Sequence, residues 1–500
     1  MLISGPHASV TVTSASATSA RRPVSQIAAA MVSVAILSGC SSGPTAPAQT
    51  EDPSGAFLAG GVAVTDGPSG VRANTPPPAR TALYATSGSA DRLALLGVDD
   101  VEQFWSTTYS RTFDSSFQPV GTLVSYDSED RYGPEVCGSD QYDNENAMYC
   151  FLDDTMAWDR GFLVPTGQQY FGDVSIAALI AHEYGHAVQH ESGLTSLLTD
   201  TIVKEQQADC FAGAYSRWVA ESHSPRFELS TGDGLNRILA AVITLRDDVL
   251  TPDQEGAIEG GHGTALDRIG AFQMGFTDGT TKCTTIDSDE IEQRRGDLPL
   301  VLGTDSAGDV QSGEMPVDQN TLVTLMELLD QVYQPQSPPG LSMTPEECPD
   351  TTPTPSAAYC PATNTVSVDL PTLQEMSIPA DRDEYVLPQG DNTALSLVTS
   401  RYALGLQHAR GLPLDAPATA LRTACLTGVA QRAMADELTL PSGQTLMLSA
   451  GDMDEAVGGL LTNGIVASTL DGSTVPAGFT RIEAFRNGLY STQEQCFTRY

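Results

Sequence analysis

His182-Glu-Tyr-Gly-His186 is the stretch of this chain best equipped for chemistry. It closes an apolar run, Val174-Ser-Ile-Ala-Ala-Leu-Ile-Ala181, whose length and Ala, Leu and Ile content suit a buried helix. Residues four apart share a helix face, so the imidazoles of His182 and His186 can be offered to one ion. Glu183 lies on the adjoining flank, placed to take a proton from an attacking water without binding the metal itself. A third ligand is expected from a second helix after a turn. Gly193 supplies the turn, and Thr201 to Val219 reads as helix, with Glu205 and Asp209 again four apart. Glu205 can close a zinc triad, while Asp209 hydrogen-bonds a ligand histidine from behind. Three protein ligands leave one zinc position open for water, as a hydrolytic site requires.

Three segments carry a family resemblance: His182-Glu-Tyr-Gly-His-Ala-Val-Gln189, Glu205-Gln-Gln-Ala-Asp-Cys-Phe-Ala-Gly213 and His262-Gly-Thr264. Together they resemble the neutral zinc metallopeptidases, a gluzincin-like group found largely in bacteria, across residues 95 to 285. The resemblance implies that His182, His186 and Glu205 bind Zn2+, with Glu183 as general base and a peptide or protein as substrate. His262 belongs to the family motif and is a candidate donor to the transition state. The competing reading is a non-catalytic envelope scaffold or binding lipoprotein that retains the zincin fold.

The elements that must position these residues read as an α+β fold. An amphipathic helix is expected from Val98 onward, through Val101, Phe104 and Trp105, followed by a small sheet, the metal helix and the Glu205 helix. Further helices lead to Cys283. A polar, acidic linker is expected over 285–313, and a second domain over 314–500.

That second domain echoes the first. Leu179 to Leu194 aligns with Leu397 to Leu412, Tyr149-Cys150 with Tyr359-Cys360, and Cys210-Phe-Ala-Gly213 with Cys425-Leu-Thr-Gly428. Arg268-Ile-Gly-Ala-Phe272 matches Arg481-Ile-Glu-Ala-Phe485, each 15 residues ahead of a cysteine at its Cys283 or Cys496 end. Four blocks in one order predict a tandem copy of the zincin-like domain. The copy is degenerate: Ser400, Arg401 and Leu404 fall at His182, Glu183 and His186, and Ala420 and Ala424 at Glu205 and Asp209. One zinc per chain is therefore expected in the first domain (91–284), with the inert copy available to an envelope protein partner. His262 has Val475 as its counterpart. Tyr184 and His190 persist as Tyr402 and His408 where the ligands are gone, which points to packing or capping and leaves both outside the site. His223 stands in no motif and reads as a surface residue.

The chain has 500 residues, 63 acidic against 25 basic, and a formal net charge of −38; its lysines are Lys204 and Lys282. Such an acidic chain is a poor partner for nucleic acid or for anionic lipid. Arg21-Arg22 precede the short apolar segment Ile27 to Leu37, too short to span a bilayer, and Leu37-Ser-Gly-Cys40 resembles a bacterial lipoprotein signal. The expectation is a signal peptide over 1–39, an acylated Cys40 anchoring the chain to the extracytoplasmic face of the cell membrane, and a flexible Ser/Pro/Gly-rich tether over 40–90. Eight other cysteines suit an oxidising compartment. The repeat pairs them within each half: Cys137 with Cys150, Cys210 with Cys283, Cys348 with Cys360, and Cys425 with Cys496.

Overall fold

A computed structural model describes residues 54–305, 307–345, 348, 356–381 and 385–500. The expected signal peptide and Cys40 lie outside the described residues. Two short antiparallel pairs open the chain: β1 (Leu58–Ala59) with β2 (Val62–Ala63), and β3 (Gly70–Val71) with the later β9 (Phe227–Glu228). α1 (Ser89–Phe113) follows, burying Leu93, Leu96, Val101, Phe104 and Trp105. It begins nine residues ahead of the expected Val98, because Asp91, Ala94 and Leu95 are also turned inward.

Next come β4 (Thr122–Tyr126), a two-residue-strand hairpin of β5 (Glu135–Val136) and β6 (Ser139–Asp140), β7 (Ala147–Cys150) and β8 (Thr155–Asp159). The three longer strands form one sheet with the wholly buried β8 at its centre, parallel to β4 and antiparallel to β7. α2 (Leu163–Phe171) leads into α3 (Asp173–Ser192) and α4 (Thr201–Ala220), which carry the motif residues. α5 (Asp233–Thr244), α6 (Ala265–Asp278), α7 (Thr280–Cys283) and α8 (Ser288–Arg295) complete the first half. α4 and α6 touch backbone to backbone. A Cβ on Gly213 would stand 2.0 Å from Phe272 O, and one on Gly275 would stand 1.7 Å from Cys210 O. Only glycine permits that approach.

The carboxy-terminal half runs through elements of like kind in like order: α9 (Gln319–Tyr333), β10 (Gly340–Ser342), β11 (Ala357–Cys360), β12 (Thr365–Val368), α10 (Leu370–Met376), α11 (Asp391–Ala409), α12 (Pro417–Met434), α13 (Asp452–Thr462), α14 (Gly478–Leu489) and α15 (Gln493–Arg499). Its sheet has the same plan, with β12 central, parallel to β10 and antiparallel to β11. α12 and α14 meet through Gly428 and Gly488, whose Cβ atoms would stand 2.2 Å from Phe485 O and 1.9 Å from Cys425 O. The four disulfides join the pairs that the repeat predicts. Tyr184 and Tyr402 are both fully buried and donate from their hydroxyls to carboxylates, Glu102 on α1 and Asp330 on α9.

Two expectations about segment boundaries need correction. The tether does not extend to residue 90. Ala56 and Ala59 are fully buried, and Thr65 and Ser69 bond Thr231 and Ser230 across the fold. Short polar side chains that suggest flexibility are here consumed by tertiary hydrogen bonds. Nor is 285–313 a free linker. α8 lies within it, Ile286, Ile291 and Leu298 are buried, and Arg295 clasps Asp267 at 2.8 Å. The described residues accordingly make one compact unit rather than two beads on a string.

Candidate metal centre

α3 starts after Gly172 at φ +85° and stops at Gly193 at φ +69°, the left-handed geometry that suits glycine. It crosses α4 closely at Gly185, where a Cβ would stand 2.9 Å from Ala208 Cα. This close contact lets side chains from both helices converge. Ligand atoms of His182, His186 and Glu205 all lie within 4.8 Å of one another. Glu205 reaches His182 Nε2 through Oε2 at 3.2 Å and His186 Nε2 through Oε1 at 3.5 Å. Glu183 is buried on the neighbouring flank of α3.

The two imidazoles are oriented from behind. His182 Nδ1 meets Asp209 Oδ1 at 2.8 Å, and His186 Nδ1 meets Gln189 Oε1 at 3.1 Å. Each acceptor calls for N–H on Nδ1, which leaves Nε2 as the ligand atom. Asp209 is in turn gripped by Arg268 of α6, whose Nε and one terminal nitrogen donate to its two oxygens at 2.8 Å each. The other terminal nitrogen of Arg268 donates to Leu245 O at 2.6 Å. Gln189 also donates to Lys204 O at 2.7 Å, tying α3 to the turn before Glu205. Cys210, one residue from Asp209, is bonded to Cys283 and so holds α4 against α7.

Burial and mutual charge set the protonation states. Burial opposes charge on His182, but the Asp209 carboxylate and the hydrogen bonds that the imidazole donates to Asp209 and Glu205 outweigh it and hold the imidazole up at about 10. Burial would raise Asp209, yet the Arg268 guanidinium and His182 bring it down to about 2. Burial likewise opposes ionisation of Glu205, and the two histidines overcome it and keep its carboxyl well below the usual range. Glu183 moves the other way. Burial dominates and raises its carboxyl, against the pull of His182 and His186.

His262, on the loop before α6, stands at the rim of this group. Its Nε2 is 3.7 Å from Glu205 Oε2, and its Nδ1 is 3.3 Å from Asp247 Oδ1. Asp247 also accepts the Gly263 N–H at 2.7 Å, which fixes the loop. An open cleft of about 600 Å3 runs past His186 and Glu205, walled by Tyr149, Phe151, His190 and Leu197. His190, in the last turn of α3, is exposed on this wall, its ring about 6 Å from those of Tyr149 and Phe151. His223 is a surface residue, lying against Trp218 and near Glu221.

Gln189, Arg268 and Asp247 are the supporting residues that spacing did not single out. Gln189 was visible as the last residue of the first motif, and Arg268 as a member of a repeated block. Asp247 had no signal in the sequence. The donor set itself, two imidazole nitrogens with fixed tautomers and one ionised carboxylate, suits zinc.

Residues 67–286 match the model of a family described as "Putative neutral zinc metallopeptidase". The matched span, under half of the chain, is thus similar to a zinc metallopeptidase domain, and the convergent His-His-Glu group lies inside it. No curated protein and no solved structure matches the chain.

Proposed function

We propose that the protein is a zinc peptidase, with His182, His186 and Glu205 holding one Zn2+ and Glu183 acting as general base. The observation that carries this reading is the convergence of two imidazoles and a carboxylate beside a buried carboxyl of raised pKa. Zinc, when bound there, supplies a Lewis acid for the scissile carbonyl and lowers the pKa of water to about 7. Glu183 takes the proton of the attacking water and passes it to the leaving amine as the C–N bond breaks. Burial makes this carboxyl a better proton acceptor than an exposed one, which favours taking up the proton. Asp209 and Gln189 keep the two imidazoles in the ligating tautomer. His262, aimed by Asp247, donates to the oxygen on which negative charge grows. The cleft past His186 receives the peptide, with Phe151 and Leu197 offering exposed apolar surface to its side chains.

The carboxy-terminal half is read as a degenerate copy that keeps the frame and has lost the chemistry. Arg401, at the position of Glu183, is buried and donates to Ser468 Oγ at 2.9 Å and Ile465 O at 3.1 Å. Arg481, at the position of Arg268, donates to Leu460 O at 2.7 Å and Leu461 O at 3.0 Å where Ala424 replaces the aspartate. Neither arrangement offers a zinc ligand. Anchoring by an acylated Cys40 on the extracytoplasmic face completes the proposal. The competing scaffold reading lacks a reason for a complete ligand set with a buried base beside it.

The test compares purified protein with Glu183→Gln, measuring zinc content and cleavage of an unstructured peptide library. Parent protein should bind one zinc and cleave. The variant should bind one zinc and leave the library intact. Cleavage by Glu183→Gln would remove the base from the mechanism, and zinc without cleavage in both would favour the scaffold.

A further inference from the structure

A second group of carboxylates meets in the carboxy-terminal half, far from any motif. Glu314, Asp391 and Glu455 each bring an oxygen within 4.8 Å of the others. Asp452 sits close enough for its charge to act on Glu455, and that of Asp391 to act on it. Asp391, Asp452 and Glu455 are buried at the starts of α11 and α13. Glu314 is exposed and lines an open cavity of about 730 Å3, so the group can be reached from solvent.

The plain alternative is helix capping by neutral carboxyls. Backbone N–H groups do meet some of the oxygens: Met315 donates to Asp391 Oδ2 at 2.6 Å, Asn392 to Glu455 Oε2 at 2.9 Å, Asp391 to Glu314 Oε2 at 3.2 Å, and Ser449 to Asp452 Oδ2 at 2.7 Å. Capping does not account for the rest. Asp391 Oδ1 is buried with no hydrogen-bond partner, although buried carboxylate oxygens are nearly always partnered. Among the described residues, no Lys, Arg or His nitrogen lies within 4.0 Å of any of the four carboxylates. Gly390 leaves room for the head of Glu455, since a Cβ there would stand 2.2 Å from Oε1. The first half begins the same helices differently: Gln168 donates to Asp173 at 2.7 Å, and Arg237 pairs with Asp233 at 2.9 Å. The carboxylate group is therefore particular to the second half.

We propose that Glu314, Asp391 and Glu455, with Asp452 beside them, bind one calcium ion. An all-oxygen, multiply anionic donor set selects a hard divalent cation and disfavours zinc. Calcium accepts irregular oxygen geometry, whereas magnesium demands a near-ideal octahedron, so carboxylates drawn from three separate segments suit calcium better. The ion would partner Asp391 Oδ1 and tie the segment before α9 to the first turns of α11 and α13.

The test uses the purified chain, passed over a chelating resin and reloaded with one equivalent of zinc. Calcium binding is followed by equilibrium dialysis and by thermal melts at about 1 mM calcium, the affinity range of extracellular modules. The expected result is one calcium per chain and a higher melting temperature, with a smaller shift from equal magnesium. Asp391→Asn and Glu455→Gln should each weaken calcium binding by roughly ten-fold or more, since affinity follows ligand charge, while zinc content stays the same. If these buried variants fail to fold, Glu314→Gln, on the surface, carries the same comparison. Parent protein that binds no calcium, or variants that bind it as tightly as the parent, would overturn the proposal and leave neutral caps as the account.

Discussion

Arg268→Met addresses how the imidazole of His182 is held in place. Arg268 is 4% exposed and Asp209 2%, and two 2.8 Å hydrogen bonds join them. In the metal-free protein the Asp209 carboxyl lies at about 2 against an ordinary 3.8, with Arg268 the largest favourable influence over the opposing effect of burial. That difference is worth roughly 2.5 kcal/mol of folding stability. Stranding one partner of a buried pair costs about 3–5 kcal/mol. Asp209 keeps its bond to His182, so a loss of about 3 kcal/mol is expected. The sign with pH follows from the lowered carboxyl. The contribution of Asp209 is fully present above about 3.8 and disappears as pH falls through about 2, so parent and variant should converge in that window. Urea unfolding in a metal chelator, at pH 7 and at steps below pH 4, measures both effects. Asp209→Leu combined with Arg268→Met removes both charges and should recover much of the loss. A loss below about 1 kcal/mol at pH 7, or a double variant as unstable as the two single losses summed, would refute the reasoning.

Asp209→Ala should weaken zinc binding by roughly 10- to 100-fold, the usual cost of removing the group behind a ligand histidine, whereas His186→Ala should lose zinc and hydrolysis together. Metal titration against a competing chelator distinguishes these, and unchanged affinity in Asp209→Ala would reduce that residue to a packing role. Zinc binding at pH 7 should release protons, because burial is outweighed by Asp209 and Glu205 and His182 is held protonated up to about 10 in the metal-free protein. A raised histidine stabilises the fold below about 6.5 and loses that contribution as pH rises through about 10, so metal-free protein should weaken on alkalinisation across this span. Calorimetry in buffers of differing ionisation enthalpy reads the released protons, and identical heats in all of them would contradict this charge state.

The residues that converge were legible because helical spacing fixes them. His182 and His186 on one helix, and Glu205 and Asp209 on the next, needed only the period of the helix and a turn at Gly193. The disulfides were legible because two halves of one chain repeat the same cysteine positions, a constraint that spacing alone does not supply. Arg268 was seen without its role, since its partner Asp209 is 59 residues away and nothing local joins them. Asp247 is bound to its role by the path of a loop, which no periodicity encodes. The misread stretch over 54–88 has the composition of a tether, and its order comes from partners such as Thr231 and Ser230, more than 160 residues away. The carboxylates of Glu314, Asp391 and Glu455 come from three separate segments and left no pattern in the chain.

Asp454, on the first turn of α13, accepts the N–H of Ala265 at 2.8 Å and pairs with Arg246 Nε at 3.1 Å. Those two residues bracket the loop that carries Asp247 and His262. One side chain of the carboxy-terminal half thus closes the hoop from which His262 hangs, across 189 residues of sequence. A chain ending near residue 313 would retain every residue of the His-His-Glu group and still lack this clasp. Selection on the His-His-Glu group would then reach into a half that supplies none of its residues, and substitutions at α13 would be read out at the rim of a cleft they never touch.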